Sequence, residues 1–325
     1  MASLFESLSS AINPEIVSAL GKALGADTSA INQGLSATGP LLMGSMSKMA
    51  STPSGAESLL KMLPQDTGTF GGFGSLTSMI SNLFSGGPTA GNNMLSSLLG
   101  PGANAIGGAL TKALGFNVMP LIGMVAPALM GLVSKAVQTD KLDANGLAGL
   151  LKRETTQFSS NPANAATMKL VNEATAAGDK AATVIGSYGA DWNKVAAAPV
   201  AALLAVSSSD LDGPIDTMKE VKAAQAALLE ATKAAPDGSV LAAAFGGGLT
   251  ESALKSVHAM AKDRDALTRL VADATTAVKQ RSPGELEAFK ATIRSIGKAT
   301  AEAAKEGGFL GIGGTQVSED EKAAL

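Results

Sequence analysis

Gly39-Pro40-Leu41-Leu42-Met43-Gly44-Ser45-Met46-Ser47-Lys48 decides how this chain is read, because a variant of it returns as Ala126-Pro127-Ala128-Leu129-Met130-Gly131-Leu132-Val133-Ser134-Lys135. Both copies read small-Pro-x-Leu-Met-Gly, and both end in Ser-Lys. Upstream, Ala19-Leu20-Gly21-Lys22-Ala23-Leu24-Gly25 is echoed by Ala109-Leu110-Thr111-Lys112-Ala113-Leu114-Gly115. Downstream, Ser58-Leu59-Leu60-Lys61 is echoed by Gly149-Leu150-Leu151-Lys152. The first half is therefore expected to hold a duplicated helical unit, with Pro40 matching Pro127 and Gly44 matching Gly131. A proline inside a helix removes one backbone hydrogen bond and crowds the preceding turn, so a kink or break is expected at Gly39-Pro40.

Apolar residues make up 46% of the 325 residues, yet aromatics only 3%. The core must come from Ala, Leu, Val, Ile and Met, of which Ala and Leu are the strongest helix formers. No alternating run of β-branched or aromatic residues marks a strand. The fold class expected is all-α: a duplicated small helical module, then a helical bundle containing a long antiparallel helix hairpin.

Charge divides the chain. Residues 1–150 carry six lysines, no arginine and seven acids, which leaves 19 of 25 basic and 21 of 28 acidic residues to the second half. The polar string Thr155-Thr156-Gln157-Phe158-Ser159-Ser160-Asn161-Pro162 reads as a linker. The expected layout is a duplicated domain over 1–153, with units at about 10–63 and 94–152 and a Gly-rich connector at 64–93. A helical bundle over 163–306 and a Gly-rich turn and tail over 307–325 follow. Net charge is −3, with no basic cluster, so no nucleic-acid partner is expected. Cysteine is absent, which excludes disulfides and thiolate metal sites. The start Met1-Ala2-Ser3-Leu4-Phe5-Glu6 lacks the basic opening of a signal peptide, and a cytoplasmic location is expected.

Local signals place the helices. Asn13-Pro14 reads as a cap with Pro in the first turn, Gly25 as a helix end, and Asp27 or Thr28 as the next cap. Asp191 should cap a helix from Trp192, and Pro214 should open another. Thr250 is expected to cap a long helix with the stripe Ala253, Val257, Met260, Leu267, Val271, Ala274 and Val278. Ser282-Pro283-Gly284-Glu285 has the spacing of a capping box ahead of a helix burying Leu286, Phe289, Ile293, Ile296 and Thr300. Trp192, the only indole, is expected to be mostly buried.

The pattern Ala19 to Thr28, the Pro40 helix and Ser54-Gly55-Ala56-Glu57-Ser58-Leu59-Leu60 resembles the YidB-like bacterial family of unknown function, in two copies over roughly residues 10–152. The resemblance implies a small all-helical module and no established activity, so it supplies no functional residues. Asp191–Val206 and Glu302–Glu321 resemble parts of uncharacterised bacterial helical proteins.

No catalytic constellation emerges. His258 is the only histidine, and its helical neighbours are Lys255, Lys262 and Leu254 rather than a carboxylate, so it reads as a partly exposed residue beside the apolar stripe. Asp210-Leu211-Asp212-Gly213 hints at calcium, but with Ser208 first the twelfth position is Lys219 instead of a bidentate Glu. Gly307-Gly308-Phe309-Leu310-Gly311-Ile312-Gly313-Gly314 follows a helix, unlike the dinucleotide fingerprint that follows a strand. Its Phe309, Leu310 and Ile312 read instead as a candidate docking segment for a groove of this or another chain. Met43, Met46, Met49, Met119, Met124 and Met130 read as core, although methionine also lines adaptable binding surfaces. Asn117–Ser134 carries no charge over 18 residues, near the lower limit for a membrane span. Pro120 and Pro127 interrupt it, and no aromatic or basic belt flanks it, so a buried helix is favoured.

The expectation is a non-enzymatic helical protein, without cofactor or metal, acting through association with an unknown protein partner or with itself. The alternative is a membrane-associated protein using the 117–134 stretch.

Overall fold

The computed structural model describes residues 3–10, 12–64, 97–207, 214–247, 253, 257, 259–261 and 263–305, and these contain thirteen α-helices and no strand. They are α1 Leu4–Ser10, α2 Pro14–Leu24, α3 Thr28–Met49, α4 Pro53–Met62, α5 Ala103–Leu114, α6 Met119–Asp140 and α7 Ala144–Ser160. There follow α8 Ala165–Tyr188, α9 Trp192–Ser207, α10 Pro214–Lys233, α11 Val240–Phe245, α12 Arg264–Arg281 and α13 Leu286–Lys305. The chain divides into two compact units, Met1–Ala176 and Ala177–Leu325, and the division falls inside α8. Thr155–Ser160, expected as linker, forms the last turns of α7.

In the first unit α3 and α6, each 22 residues long, pack on one another. Helix α7 lies against α3 and α4, α2 against α3, and α1 against α6 and α3. Short polar side chains set the starts. Asn13 accepts from the Ile16 amide at 2.8 Å, Asp27 from Ala30 at 2.7 Å, Thr52 from Gly55 at 3.2 Å and Asp143 from Gly146 at 2.8 Å, each satisfying a first-turn donor. Gly25 (φ 64°) and Gly115 (φ 80°) close α2 and α5 in the left-handed region, where a Cβ would be strained.

Helix α3 runs unbroken through Pro40, so of the kink or break expected there the break does not occur. The proline still costs its N–H, and a helix-interior proline is disfavoured by about 3 kcal/mol. Here Gly39 and Pro40 are buried. A Cβ on Gly39 would meet Leu8 Cδ2 of α1 at 3.2 Å. Packing of this kind overrides local propensity. The motif residues Leu41, Leu42, Met43 and Met46 are at most 2% exposed. So are Met124 and Met130, whereas Met49 and Met119 are only partly buried. Pro127 likewise lies inside its 22-residue helix, and Pro120 sits harmlessly in the first turn.

Among the described residues α6 is the one helix long and apolar enough to cross a membrane, with mean hydropathy 1.6 over its best window, of which 67% is buried. Leu121, Val125 and Leu129 are buried, and Leu132 is half-buried. Glycine permits the close approach of α3. A Cβ on Gly34 would lie 2.8 Å from Leu121 Cδ2 and 3.1 Å from Phe116 Cζ.

Gly55 is tighter still, because its Cβ would fall 2.0 Å from the Met49 carbonyl oxygen. Alanine for glycine normally favours a helix by about 1 kcal/mol. At this position the backbone cannot yield as a flexible side chain would. Gly55→Ala should therefore lower stability by about 1–3 kcal/mol, the range typical of overpacking. A urea midpoint that stays or rises would show that α4 shifts freely away from Met49.

In the second unit α9 packs on α12 and α13, and α13 packs on α10. Tyr188, Phe245, Val278, Phe289 and Ile296 are at most 1% exposed and form the core, with the Phe245 and Phe289 rings stacked at 6.1 Å. Helices α12 and α13 are joined through a 3-10 turn at Pro283–Glu285 in a hairpin-like arrangement. Their main partners, however, are α9 and α10 rather than each other.

Three local expectations change. Helix α12 begins at Arg264, capped by Asp263, whose side chain accepts from Ala266 at 2.9 Å. The expected start, Thr250, lies outside the described residues. Ser282 makes no capping bond, and the Glu285 carboxylate accepts instead from the Val240 amide at 2.7 Å, at the start of α11. The capping box is thus replaced by a longer-range cap 45 residues away in sequence. Trp192 is half-buried, edge-on to Tyr188 with ring centroids 5.6 Å apart.

The Tyr188 hydroxyl is buried beside Ser282, with no well-formed hydrogen bond among the described residues. Burial pushes its pKa above the ordinary phenol value, helped by Glu285 and opposed by nearby Ser282 and Arg281. The folded state then resists ionisation more than the unfolded state does. The associated stability is present below about pH 10 and is lost as pH rises from there through the folded-state value. Tyr188→Phe should be neutral or stabilising by about 1 kcal/mol, since the buried hydroxyl has at best a poorly formed bond to Ser282, and should remove that alkaline loss. Tyr188 is the only tyrosine, so phenolate absorbance during an alkaline titration reads it directly. Ionisation at the free-phenol pKa would contradict the burial argument.

Candidate functional site

A cleft of about 570 Å³ in the first unit opens between α1, α3 and the end of α7. It is built from the N-terminus inward. Ser3-Leu4-Phe5-Glu6 forms a capping box: the Ser3 amide donates to Glu6 Oε2 at 3.0 Å, and Ser3 Oγ accepts from the Phe5 amide at 3.2 Å. The same hydroxyl donates to Glu154 Oε2 at 2.8 Å, and the Leu4 amide donates to that oxygen at 2.9 Å. Glu154, on α7, is 6% exposed. A buried carboxylate thus holds the start of α1, where the helix dipole favours negative charge. Phe5 meets Phe158 of α7 with centroids 4.5 Å apart, fixing the aromatic wall of the cleft.

The opposite wall is the stripe Asn32, Ser36 and Pro40 of α3. Pro40 has no N–H, so the Ser36 carbonyl lacks its helical donor. The α7 side adds Gln157, Asn161 and Asn164. Asn161 Oδ1 accepts from the Ala163 amide at 3.0 Å, and Asn164 Nδ2 donates to the Phe158 carbonyl at 2.9 Å. Asn32 and Gln157 are exposed and make no side-chain hydrogen bond within the described residues. The lining contains one carboxylate, Glu6, and no cationic side chain. Such a surface offers paired amide donors and acceptors beside flat apolar rings, which suits neutral polar groups rather than charged ones.

A second, wholly apolar void of about 20 Å³ lies on the inner side of α1, lined by Leu8, Ile12 and Leu35 together with Leu121 and Val125 of α6. With no polar partner for water, such a void stays dry.

Of the residues singled out by sequence, Gly39 and Pro40 line this cleft. His258, Asp210, Asp212 and Gly213 lie outside the described residues, as do Phe309, Leu310 and Ile312. Among the described residues no group of three or more His, Asp or Glu side chains could hold a metal. Sequence reasoning missed the cleft. The Ser3–Glu6 spacing was a legible signal, whereas the Glu154 anchor, 151 residues from Ser3, left none.

No curated protein and no solved structure matches the chain. The family match lies within the first unit, takes in both Pro40 and Pro127, and ends at residue 136. Residues 6–136 match the model of a bacterial protein family of unknown function, DUF937, within which the YidB-like resemblance falls.

Proposed function

We propose that this is a non-enzymatic cytoplasmic protein that works by protein–protein association, with Phe309, Leu310 and Ile312 as its docking segment. The cleft carries this reading: about 570 Å³, mixed in lining, bounded by the Phe5–Phe158 pair and by the exposed carboxamides of Asn32 and Gln157. Protein segments present both amide groups and apolar side chains, which is the chemistry such a lining complements. The first unit is proposed to be a duplication. In support, Pro40 and Pro127 both lie inside 22-residue helices, and each of those helices follows one closed by a left-handed glycine. Affinity capture from the native cell, quantified for wild type against Phe309→Asp, tests the association. Proteins recovered with wild type, this chain included, should fall away in the variant. Equal recovery would sink the docking segment.

One observation favours a second reading, membrane association: α6 has the length and hydropathy of a span. Its burial against α3 speaks for a core role. Flotation with phospholipid vesicles separates the two, and co-flotation resistant to high salt would replace the first reading.

A further inference from the structure

We propose that the cleft between α1, α3 and α7 is the receptor for the Gly307–Gly314 segment of a second copy of this chain. The inference rests on the association reading and gives the docking segment its site.

Three features converge. The first is charge. Glu6 is the one charged group in the lining, and its Oε2 is already engaged by the Ser3 amide. Gly307–Gly314 carries no charge over its eight residues, so it enters without stranding a charge or desolvating one.

The second is amide chemistry. Asn32 on one wall and Gln157 on the other are exposed carboxamides without intramolecular partners, and each offers donors and an acceptor together. On the same wall as Asn32, the Ser36 carbonyl lacks its helical donor, because Pro40 has no N–H. An extended backbone supplies the matching N–H and C=O groups. The five glycines of the segment let that backbone approach where a Cβ would obstruct it.

The third is the aromatic wall. The Phe5–Phe158 pair gives Phe309 a ring to pack on, in the offset or edge-on arrangements that aromatic rings prefer. The cleft volume lies within the range of about 300–1,000 Å³ usual for ligand sites, so it takes the Phe309–Ile312 core of the segment rather than all eight residues. One copy gives its segment and the next gives its cleft, so the interface is heterologous.

The test uses the full chain. A fluorescein-labelled peptide of sequence Gly307–Gly314 is titrated by anisotropy, and self-association is followed by sedimentation velocity. Asn32→Ala/Gln157→Ala alters two exposed side chains and should leave the helical signal intact. The peptide should bind wild type saturably and bind the double variant at least tenfold more weakly. The double variant and Phe309→Asp should each be monomeric alone. A mixture should pair one to one, because the first retains an intact segment and the second an intact cleft. Absence of peptide binding, or binding unchanged in the double variant, overturns the cleft as receptor. Self-association lost in Phe309→Asp but kept in the double variant also overturns the cleft, while the association reading survives. Self-association unchanged in Phe309→Asp overturns the docking segment itself. Peptide binding at the cleft with a monomeric wild type overturns the second copy as source.

Discussion

Leu129→Lys should unfold the first unit. Leu129 is fully buried in α6, within the core that α3, α6 and α7 share. A lysine there puts an ammonium into a buried apolar cluster. The penalty for an unpaired buried ion is several kcal/mol, a large share of the roughly 5–15 kcal/mol by which a domain is stable. Circular dichroism should lose helix, and the variant should aggregate on mild warming. The core of the second unit is a separate cluster, so Trp192 emission should keep its native position while the first unit melts. A variant that stays folded and merely ceases to float with vesicles would replace the buried-core role of α6 with a lipid-facing one. Loss of the native Trp192 signal together with the helix would show that the two units unfold as one.

Glu154→Ala is expected to have the next largest effect. One oxygen of that carboxylate accepts from Ser3 Oγ and from the Leu4 amide, and the side chain is almost wholly buried. Hydrogen bonds to a charged acceptor contribute about 1.5–3 kcal/mol each, and donors left buried without a partner cost more than the bond itself gains. The loss should be about 3 kcal/mol. It should be concentrated at α1, whose amides should then exchange with solvent far faster than those of α3. Glu154→Gln keeps an acceptor oxygen in place and should lose less than half as much. Equal loss in both variants would show that charge, not the hydrogen-bond geometry, holds α1. Faster exchange spread evenly over the first unit would show that Glu154 supports the whole core rather than its first helix. Because α1 carries Phe5, detachment should also weaken binding of the labelled peptide, which links the anchor to the cleft.

Composition alone determined the fold class. With 3% aromatics and a wealth of Ala, Leu and Met, no strand pattern could form, and the described residues contain none. Caps were equally legible, because Asn13, Asp27 and the glycines Gly25 and Gly115 act on amides and dihedrals within one turn of themselves. Local rules failed where distant residues intervene. Pro40 left a kink or a break open, and α3 stays one helix with Gly39 buried beside Phe5 and Leu8 of α1. Ser282-Pro283-Gly284-Glu285 has the spacing of a capping box, yet the start of α11 brings a better donor to Glu285. Thr155–Ser160 is polar enough for a linker, but Leu147, Leu150 and Leu151 bury the face of the helix that carries it onward. The cleft belongs wholly to the tertiary structure. Its walls come from residues 3–12, 32–40 and 157–167, and only the packing of α1 onto α3 and α7 makes them neighbours. Sequence fixes what each turn of backbone can do with its own neighbours. Which distant side chain arrives to cover a proline or to accept from a helix end is decided by burial, whose energy is summed over the whole core.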